Sequence, residues 1–139
     1  MTKYCTDSIY GTIDNIVRLD IKDDAATASW GDAWRMPTLD EIKELIDGCE
    51  WKIVTDFNGS GLNGRLGISK KNGATIFIPA SGFRFSSHLI FFNNRGIYWT
   101  SSLSEKYSYQ ANALFFYDNH IDCNTHSRRF GQNIRAVVK

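Results

Sequence analysis

One short segment of the chain carries apolar residues at helical spacing. In "MPTLDEIKELIDGCEW" (residues 36–51), the apolar positions that repeat every three or four residues are Leu39, Ile42, Leu45 and Ile46. Thr38 followed by Glu41 has the spacing of a capping box, in which each side chain accepts a hydrogen bond from the backbone N–H of the other residue. Gly48 suits the end of a helix. The pattern therefore predicts an amphipathic helix over residues 39–47 that lies on an apolar surface.

The rest of the pattern predicts a shorter helix upstream and a series of strands downstream. "DDAATASWG" (residues 23–31) offers Asp23 or Asp24 as the N-cap, alanines as helix formers, and Gly31 after the helix end. Beyond that, short β-branched and aromatic runs are separated by turns that contain Gly and Asn. The runs are residues 51–57, 65–69, 74–80, 96–102, 113–117 and 133–139. This order predicts one α+β domain over residues 1–139, with two helices followed by antiparallel strands.

Composition narrows the classes of protein to which the chain can belong. It has 139 residues, of which 42% are hydrophobic and 14% aromatic, and a formal net charge of +1. Such a chain can bury a core by itself, and its charge balance gives no field that attracts nucleic acid. No apolar run reaches the roughly 20 residues that cross a bilayer, and the opening residues are too polar for a signal peptide. We therefore expect neither nucleic-acid binding nor direct membrane insertion. Cys5, Cys49 and Cys123 are too widely spaced to indicate a disulfide framework.

Two short motifs have spacings that resemble known sites. "GSGLNG" (residues 59–64) matches GxGxxG, but a strand follows it where a phosphate-binding loop needs a helix, so we predict a hairpin loop. His120, Cys123 and His126 offer the imidazole and thiolate ligands that zinc prefers, yet only three such ligands are local. A Cys–His nucleophile pair is the other chemical interpretation, although no oxyanion site accompanies it. We predict no cofactor, metal or catalytic residue, and a zinc-binding module that uses these three residues stays an alternative.

Blocks along nearly the whole chain resemble, in order, the motifs of the Fibrobacter succinogenes major paralogous domain family. The blocks are "WG" (30–31), "WRMPT" (34–38), "ELIDGCEW" (44–51), "IFIPASGFR" (76–84), "YWTSS" (98–102), "ANALFF" (111–116) and "GQNIR" (131–135). That family is similar to C-type lectin-like domains. The resemblance therefore implies a C-type lectin-like fold, with two helices followed by a twisted antiparallel sheet and long loops that carry a binding face. It also implies a protein of gut bacteria or phage, located outside the cell, at the cell surface or on a phage particle.

Three departures from the family pattern bear on function. The upstream strand that is common in the family has no counterpart here, so we expect this first strand to be absent, removed or replaced by residues 1–15. The carboxylate and amide signatures of calcium-dependent sugar-binding lectins are absent, so we expect calcium-independent binding. The paired active-site cysteines of formylglycine-generating enzymes have no counterpart either. The resemblance therefore implies binding and not catalysis.

A segment near the end of the chain uses a restricted set of amino acids. Residues 111–130 contain no Lys, Glu, Gln, Met or Trp, which are the five that an AAC codon cannot yield when its adenines are randomised. Some relatives of this kind are receptor-binding proteins that retroelements diversify in this way. We therefore predict a hypervariable region over about residues 107–130. Within the strand 113–117, Leu114 and Phe116 are predicted to face the core, while Ala113, Phe115 and Tyr117 face outward.

The sequence predicts a non-enzymatic ligand-binding or adhesion module that recognises a protein or glycan through this hypervariable face. The predicted ligand-binding residues are Tyr107, Tyr109, Ala113, Phe115, Tyr117, Asp118, Asn119, His120, Asp122, Asn124, Thr125, His126, Ser127, Arg128 and Phe130. Their mixture of aromatic and short polar side chains resembles an antibody paratope. The frame expected to hold the face rigid consists of Leu114, Phe116, Trp99, Trp34, Arg129, Gly131 and the helix over residues 39–47. A structural domain of a cell surface or pilus is the alternative function, and the oligomeric state stays open.

Overall fold

Two α-helices precede most of the strands, which confirms the α+β prediction. The structure is a computed structural model that describes residues 1–139. The helices are α1 (Ala25–Trp30) and α2 (Leu39–Gly48). The strands are β1 (Trp34–Arg35), β2 (Cys49–Val54), β3 (Gly64–Ser69), β4 (Thr75–Pro79), β5 (Phe83–Phe85), β6 (His88–Ile90), β7 (Arg95–Leu103), β8 (Gln110–Tyr117), β9 (His120–Ser127) and β10 (Val137–Val138). Neither helix is long and apolar enough to cross a membrane.

Both helices begin at the predicted caps. In α2 the Thr38 hydroxyl accepts a hydrogen bond from the Glu41 N–H at 3.2 Å, and the Glu41 carboxylate accepts one from the Thr38 N–H at 2.8 Å. This reciprocal capping box satisfies two backbone donors that the first turn leaves free. In α1 the Asp24 carboxylate accepts from the backbone N–H groups of Ala26 and Thr27. Local hydrogen bonding therefore explains both helix starts.

The strands form four small antiparallel sheets and not one continuous twisted sheet. β2, β3 and β4 form one three-stranded sheet, β7, β8 and β9 another, and β5 pairs with β6. The short strand β1 pairs with β10, so the first and last strands lie side by side. Five of the six predicted runs coincide largely with strands, although the last three residues of the run 51–57 lie beyond the end of β2. In the sixth run, residues 133–139, only β10 and a bridge between Asn133 and Tyr98 are regular.

The core lies between α2 and the two three-stranded sheets. Its buried side chains are Ile42, Ile78, Ala80, Tyr98, Leu114 and Phe116. Leu114 and Phe116 are each only 1% exposed, which confirms their predicted inward direction. Trp34, which we expected to help hold the binding face rigid, lies in the two-residue strand β1 opposite the exposed Val138 and is itself 38% exposed. Trp99 is half-buried and packs against a second cluster formed by Tyr4, Leu103 and Ala111.

Candidate binding face

Residues 120–127, which lie outside the predicted strand runs, form strand β9. β9 pairs antiparallel with β8, so that Tyr117 lies opposite His120 and Phe115 opposite Asp122. A two-residue turn at Asp118 and Asn119 joins the strands, and Asp118 has a φ of 42°. The signal that sequence reasoning missed is the alternation of polar and apolar residues from His120 to Cys123, which is typical of a half-buried strand.

Successive side chains of β8 and β9 point to opposite sides, so the predicted residues are divided between the two sides of the hairpin. On the inner side, Ile121 and Cys123 pack against the core cluster beside Leu114 and Phe116. Residues that lie opposite each other in the register project from the same side of a sheet. The outer side and the turn therefore bring together Phe115, Tyr117, Asp118, Asn119, His120, Asp122, Asn124 and His126, which we call the hairpin face.

Aromatic rings form a connected row along the hairpin face. The ring of Phe115 lies 5.3 Å from that of Tyr117 and 5.4 Å from that of His126, measured between centroids. Tyr117 in turn lies 5.6 Å from His120. The guanidinium of Arg95, at the start of β7, lies 5.4 Å from the Tyr117 ring. Because each ring contacts the next, the row is held in place before any ligand binds, which lowers the entropy that binding must offset.

Arg95 is a residue of this site that sequence reasoning missed. It lies in "NNRG", a stretch whose composition indicates only a turn, whereas the structure makes Arg95 the first residue of β7 and pairs it with Tyr117. Its guanidinium also lies 3.9 Å from the ring of Phe91. The signal is weak, because a single arginine beside a turn has no spacing that indicates which strand it will face.

Burial lowers the pKa of two side chains near the hairpin face, His126 and Arg65. Burial lowers the pKa of His126 below its ordinary value, so this imidazole is neutral at pH 7. Arg65 is buried on the far side of the hairpin turn, and its guanidinium carbon lies 5.2 Å from the Phe116 ring. Burial lowers the pKa of Arg65, while the negative charge of Asp118 acts in the opposite direction. The carboxylate at the turn therefore stabilises a cation beneath it.

The three residues of the zinc alternative do not converge. His120 and His126 project from the outer side of β9, whereas Cys123 projects inward and packs on the core. No group of three or more His, Cys, Asp or Glu side chains in the structure is arranged to hold a metal ion. Burial is also the main cause that raises the pKa of the Cys123 thiol, which disfavours the thiolate that binds metal or attacks a substrate. The same separation argues against a Cys–His nucleophile pair in β9.

Ala113 and Arg128 have roles in the frame, which corrects two of the predicted ligand-binding residues. Ala113 is on the outer side of β8 but is 0% exposed, because the contact between Phe115 and His126 spans the Ala113–Asn124 pair. The Arg128 guanidinium donates hydrogen bonds to the backbone carbonyls of Tyr4 and Ser108, both at 3.0 Å. These bonds hold the N-terminal segment against the end of β9. The neighbouring Arg129, which we expected to belong to the frame, is exposed.

The remaining predicted residues lie outside the hairpin face. The rings of Tyr107 and Tyr109 are tilted against each other with their centroids 5.5 Å apart, and the Tyr109 ring lies 4.9 Å from that of Tyr10 in the N-terminal segment. Thr125 and Ser127 belong to the inner side of β9, beyond the core. Phe130 packs against Phe83 and Phe85. The structure thus brings eight of the fifteen predicted residues into one surface and distributes the other seven.

A cavity of about 220 Å³ adjoins the hairpin face. Phe115 and His126 form the wall that it shares with the hairpin face, and Phe83, Phe91 and Phe130 line the rest together with Gln132 and Arg95. No family model, no curated protein and no solved structure matches this chain.

Proposed function

We propose that the chain is a C-type lectin-like domain that binds a protein or glycan ligand through the hairpin face, without catalysis. The order of its elements supports the lectin-like assignment, since the two helices precede most of the antiparallel strands and the first strand pairs with the last. One observation carries the binding function: eight predicted residues share one surface of a hairpin whose other surface is anchored in the core.

Anchoring and recognition use different residues of the same two strands. Leu114 and Phe116 are fully buried, and truncation of such side chains to Ala costs about 2–5 kcal/mol in typical cores. Tyr117, His120, Asp122 and Asn124 are exposed and make no side-chain hydrogen bond to a distant residue. Substitutions at the exposed positions therefore alter the surface chemistry while the hairpin stays in place, as a diversified recognition surface requires.

The absence of Lys, Glu, Gln, Met and Trp from residues 111–130 supports diversification of this face by a retroelement. The nucleotide sequence tests this part of the proposal separately. We expect a near-duplicate of the 3′ end of the gene close by, with adenines at the codon positions that vary, and a reverse-transcriptase gene beside it. A gene neighbourhood with neither feature would remove the retroelement and leave the binding proposal intact.

A comparison of two surface variants tests the binding function. The first variant carries Tyr117→Ser, His120→Asn, Asp122→Ser and Asn124→Ser on the hairpin face. The matched control carries Glu50→Ser, Lys52→Ser and Lys71→Ser, which are exposed positions on and beside β2 and β3. Both are screened beside the wild type on an array of defined glycans and against a displayed peptide library.

We expect the hairpin variant to lose the wild-type binding profile and the control to keep it. Circular dichroism and thermal unfolding would verify that both variants fold. Identical profiles for all three proteins would contradict recognition by the hairpin face and favour the purely structural domain.

A further inference from the structure

Four phenyl rings form a second aromatic surface beside the hairpin face. The Phe130 ring lies 5.5 Å from that of Phe85 and 5.2 Å from that of Phe83, measured between centroids. The Phe83 ring lies 6.0 Å from that of Phe91. Phe85 is 44% exposed and Phe91 is 42% exposed. Because exposed apolar clusters of this kind often mark interaction sites, we treat these four residues as one surface and call it the aromatic strip.

An arginine lies at each end of the aromatic strip. The guanidinium carbon of Arg129 lies 5.2 Å from the Phe130 ring, and that of Arg95 lies 3.9 Å from the Phe91 ring. Neither arginine forms an ion pair within the chain. Arg129 is exposed, and in Arg95 only Nε is buried without a partner, so Nη1 and Nη2 reach solvent. Both cations are therefore accessible to a ligand.

The segments of the chain that build the aromatic strip contain no acidic residue. Residues 57–104 and 123–139 carry nine of the 16 Lys and Arg residues and none of the 15 Asp and Glu residues. Asp118 and Asp122 lie on the hairpin face, so the aromatic strip is the more positive of the two adjoining surfaces. Charge complementarity therefore favours a partner with negative charge.

The cavity of about 220 Å³ opens to solvent between the aromatic strip and the hairpin face. Its phenyl walls come from Phe83, Phe91 and Phe130 of the strip and from Phe115 of the hairpin face. An apolar cavity of about 150 Å³ holds benzene, so this cavity has room for one phenyl or leucine side chain of a partner. Apolar anchors in such pockets contribute much of the binding energy in protein interfaces.

We propose that the aromatic strip binds a protein segment in which a phenylalanine or leucine side chain is flanked by acidic residues. The apolar side chain enters the cavity, and the carboxylates pair with Arg95 and Arg129. The inference rests on the proposed function, because Arg95 also lies beside Tyr117 and joins the strip to the hairpin face. It identifies the ligand as a protein, since phenyl walls would leave the hydroxyl groups of a sugar ring without hydrogen bonds.

Three synthetic peptides of equal length test the class of ligand. The first has a central phenylalanine between pairs of acidic residues, the second has alanine in place of phenylalanine, and the third has lysines in place of the acidic residues. Protein-observed NMR of the folded chain gives the dissociation constant of each peptide and the residues whose signals shift. We expect the first peptide to bind at least about tenfold more tightly than the others, with shifts at Phe83, Phe91 and Arg129.

Two pairs of variants locate the binding site. Arg129→Gln removes one cation, and Arg84→Gln is its matched control, because Arg84 is also exposed but projects from the side of β5 that faces away from the aromatic strip. Phe91→Asn removes a ring of the cavity wall, and asparagine tolerates the φ of 58° at this position. Phe92→Asn is its control, because Phe92 is 51% exposed and does not line the cavity.

We expect Arg129→Gln and Phe91→Asn each to weaken binding of the first peptide by about threefold to tenfold, and both controls to leave it unchanged. Circular dichroism would verify that all four variants fold. Equal affinities for the three peptides, or unchanged binding after both Arg129→Gln and Phe91→Asn, would overturn the inference. Binding to vesicles of phosphatidylcholine and phosphatidylglycerol, without saturable binding of any peptide, would assign the aromatic strip to a lipid surface instead.

The outcomes for the aromatic strip and for the hairpin face can be distinguished. The hairpin variant described above keeps every residue of the aromatic strip, together with Arg95 and Arg129. If that variant loses its array profile while the wild type binds no peptide, this inference alone is rejected. If its array profile is unchanged, recognition by the hairpin face is rejected, whether or not the first peptide binds.

Discussion

The boundary between frame and recognition surface runs between two residues that lie opposite each other. Ala113 of β8 and Asn124 of β9 form a register pair on the outer side of the hairpin. Ala113 is completely buried, whereas Asn124 is exposed. Position in a strand therefore decides which side a residue faces, but the neighbouring rings decide whether it reaches solvent.

Tyrosine substitutions at this pair should have very different effects on stability. Ala113→Tyr forces a ring into a closed space beneath Phe115 and His126, and overpacking of this kind costs about 1–3 kcal/mol or more. Asn124→Tyr adds the same ring at an exposed position and should change the free energy of unfolding by less than about 0.5 kcal/mol. Urea denaturation of both variants measures the difference. Equal losses of stability would mean that Asn124 belongs to the frame as well.

A glycine in β7 allows the close approach of the buried ring of Phe116. A Cβ at Gly96 would overlap the ring atoms of Phe116, which is itself only 1% exposed and has no space to move. We expect Gly96→Ala to destabilise the protein by about 1–3 kcal/mol or more, as overpacked cores do. Gly48→Ala is the control, because a Cβ at Gly48 would have no other atom within 4 Å and the φ of Gly48 is not positive. A tolerated Gly96→Ala, measured by thermal unfolding, would contradict this packing.

At the scale of elements, the N-terminus of α2 combines a cap with an ion pair. Glu41 completes the capping box with Thr38 and also binds the guanidinium of Arg35 through both of its carboxylate oxygens, at 2.5 and 2.7 Å. Arg35 belongs to β1, so this ion pair joins α2 to the strand that pairs with β10 near the C-terminus. The side chain of Glu41 therefore both caps α2 and links this helix to β1.

Removal of the cap should have a measurable cost. Thr38→Ala deletes the hydroxyl that accepts from the Glu41 N–H, and loss of such a cap costs about 1 kcal/mol. Thr55→Ala is a matched control, since Thr55 is exposed and its hydroxyl makes no hydrogen bond; we expect a change below about 0.5 kcal/mol. Chemical denaturation compares the two. If Thr38→Ala were as stable as the control, the capping box would not contribute to stability.

The ion pair of Glu41 predicts a dependence of stability on pH. Hydrogen bonds from Arg35, supported by the Thr38 N–H, lower the pKa of Glu41 to about 2. Because the folded pKa lies below the unfolded value of about 4.3, the stabilisation is complete above that value and is lost as the pH falls towards 2. The pair is partly exposed, so its contribution is about 1 kcal/mol or less.

Glu41→Gln keeps an acceptor for the cap but removes the charge. We expect the wild type to be more stable than this variant at pH 6, and the gap between their free energies of unfolding to close between about pH 4.5 and 2. The measurement is urea denaturation at several pH values. A gap that stays constant over this range would show that the charge of Glu41 does not stabilise the fold.

The elements differ in how well the sequence predicts them, because some depend on residues that are close together in the chain and others on residues that are far apart. α1 and α2 were predictable because their caps and apolar positions lie within a few residues of each other. The sequence of β9 has the polar–apolar alternation of a strand. Its residues His120, Cys123 and His126 also match the spacing of a metal or catalytic site, and this second pattern drew the interpretation away from a strand. The pairing of β1 with β10 joins distant parts of the chain, so the exposure of Trp34 had no local signal.

The candidate site was predictable in composition and not in shape. The list of variable positions included the residues of the hairpin face, because a restricted alphabet is visible in sequence. The cavity depends on Arg95 and Gln132, which meet the hairpin only after β7, β8 and the C-terminal segment come together. Ala113 and Arg128 show the same limit, since burial and a tether to the N-terminal segment are tertiary properties.

At the scale of the whole molecule, the hairpin is supported from three directions. α2 and the β2–β3–β4 sheet meet the inner side of the hairpin in the core that contains Ile42, Ile78 and Phe116. Arg128 links the end of β9 to the N-terminal segment. Further along the chain, the backbone of Asn133 forms hydrogen bonds with the backbone of Ile97 and Trp99 in β7. A surface that is fixed on these sides is suited to hold one shape while its exposed residues change.

Two libraries displayed on the cell surface provide the most direct test of recognition by this supported hairpin. The outer library randomises exposed positions, which are Tyr117, Asn119, His120, Asp122 and Asn124. The inner library randomises positions that face the core, which are Leu114, Phe116, Ile121 and Cys123. Both are sorted first for resistance to protease and then for binding to one purified protein target.

We predict that most members of the outer library resist protease, and that sorting enriches binders whose sequences differ only on the hairpin face and whose melting temperatures match that of the wild type. The inner library should lose protease resistance in most of its members. Loss of resistance in the outer library to the same extent, or a well-folded outer library from which no binder is enriched, would contradict a recognition role for the hairpin face.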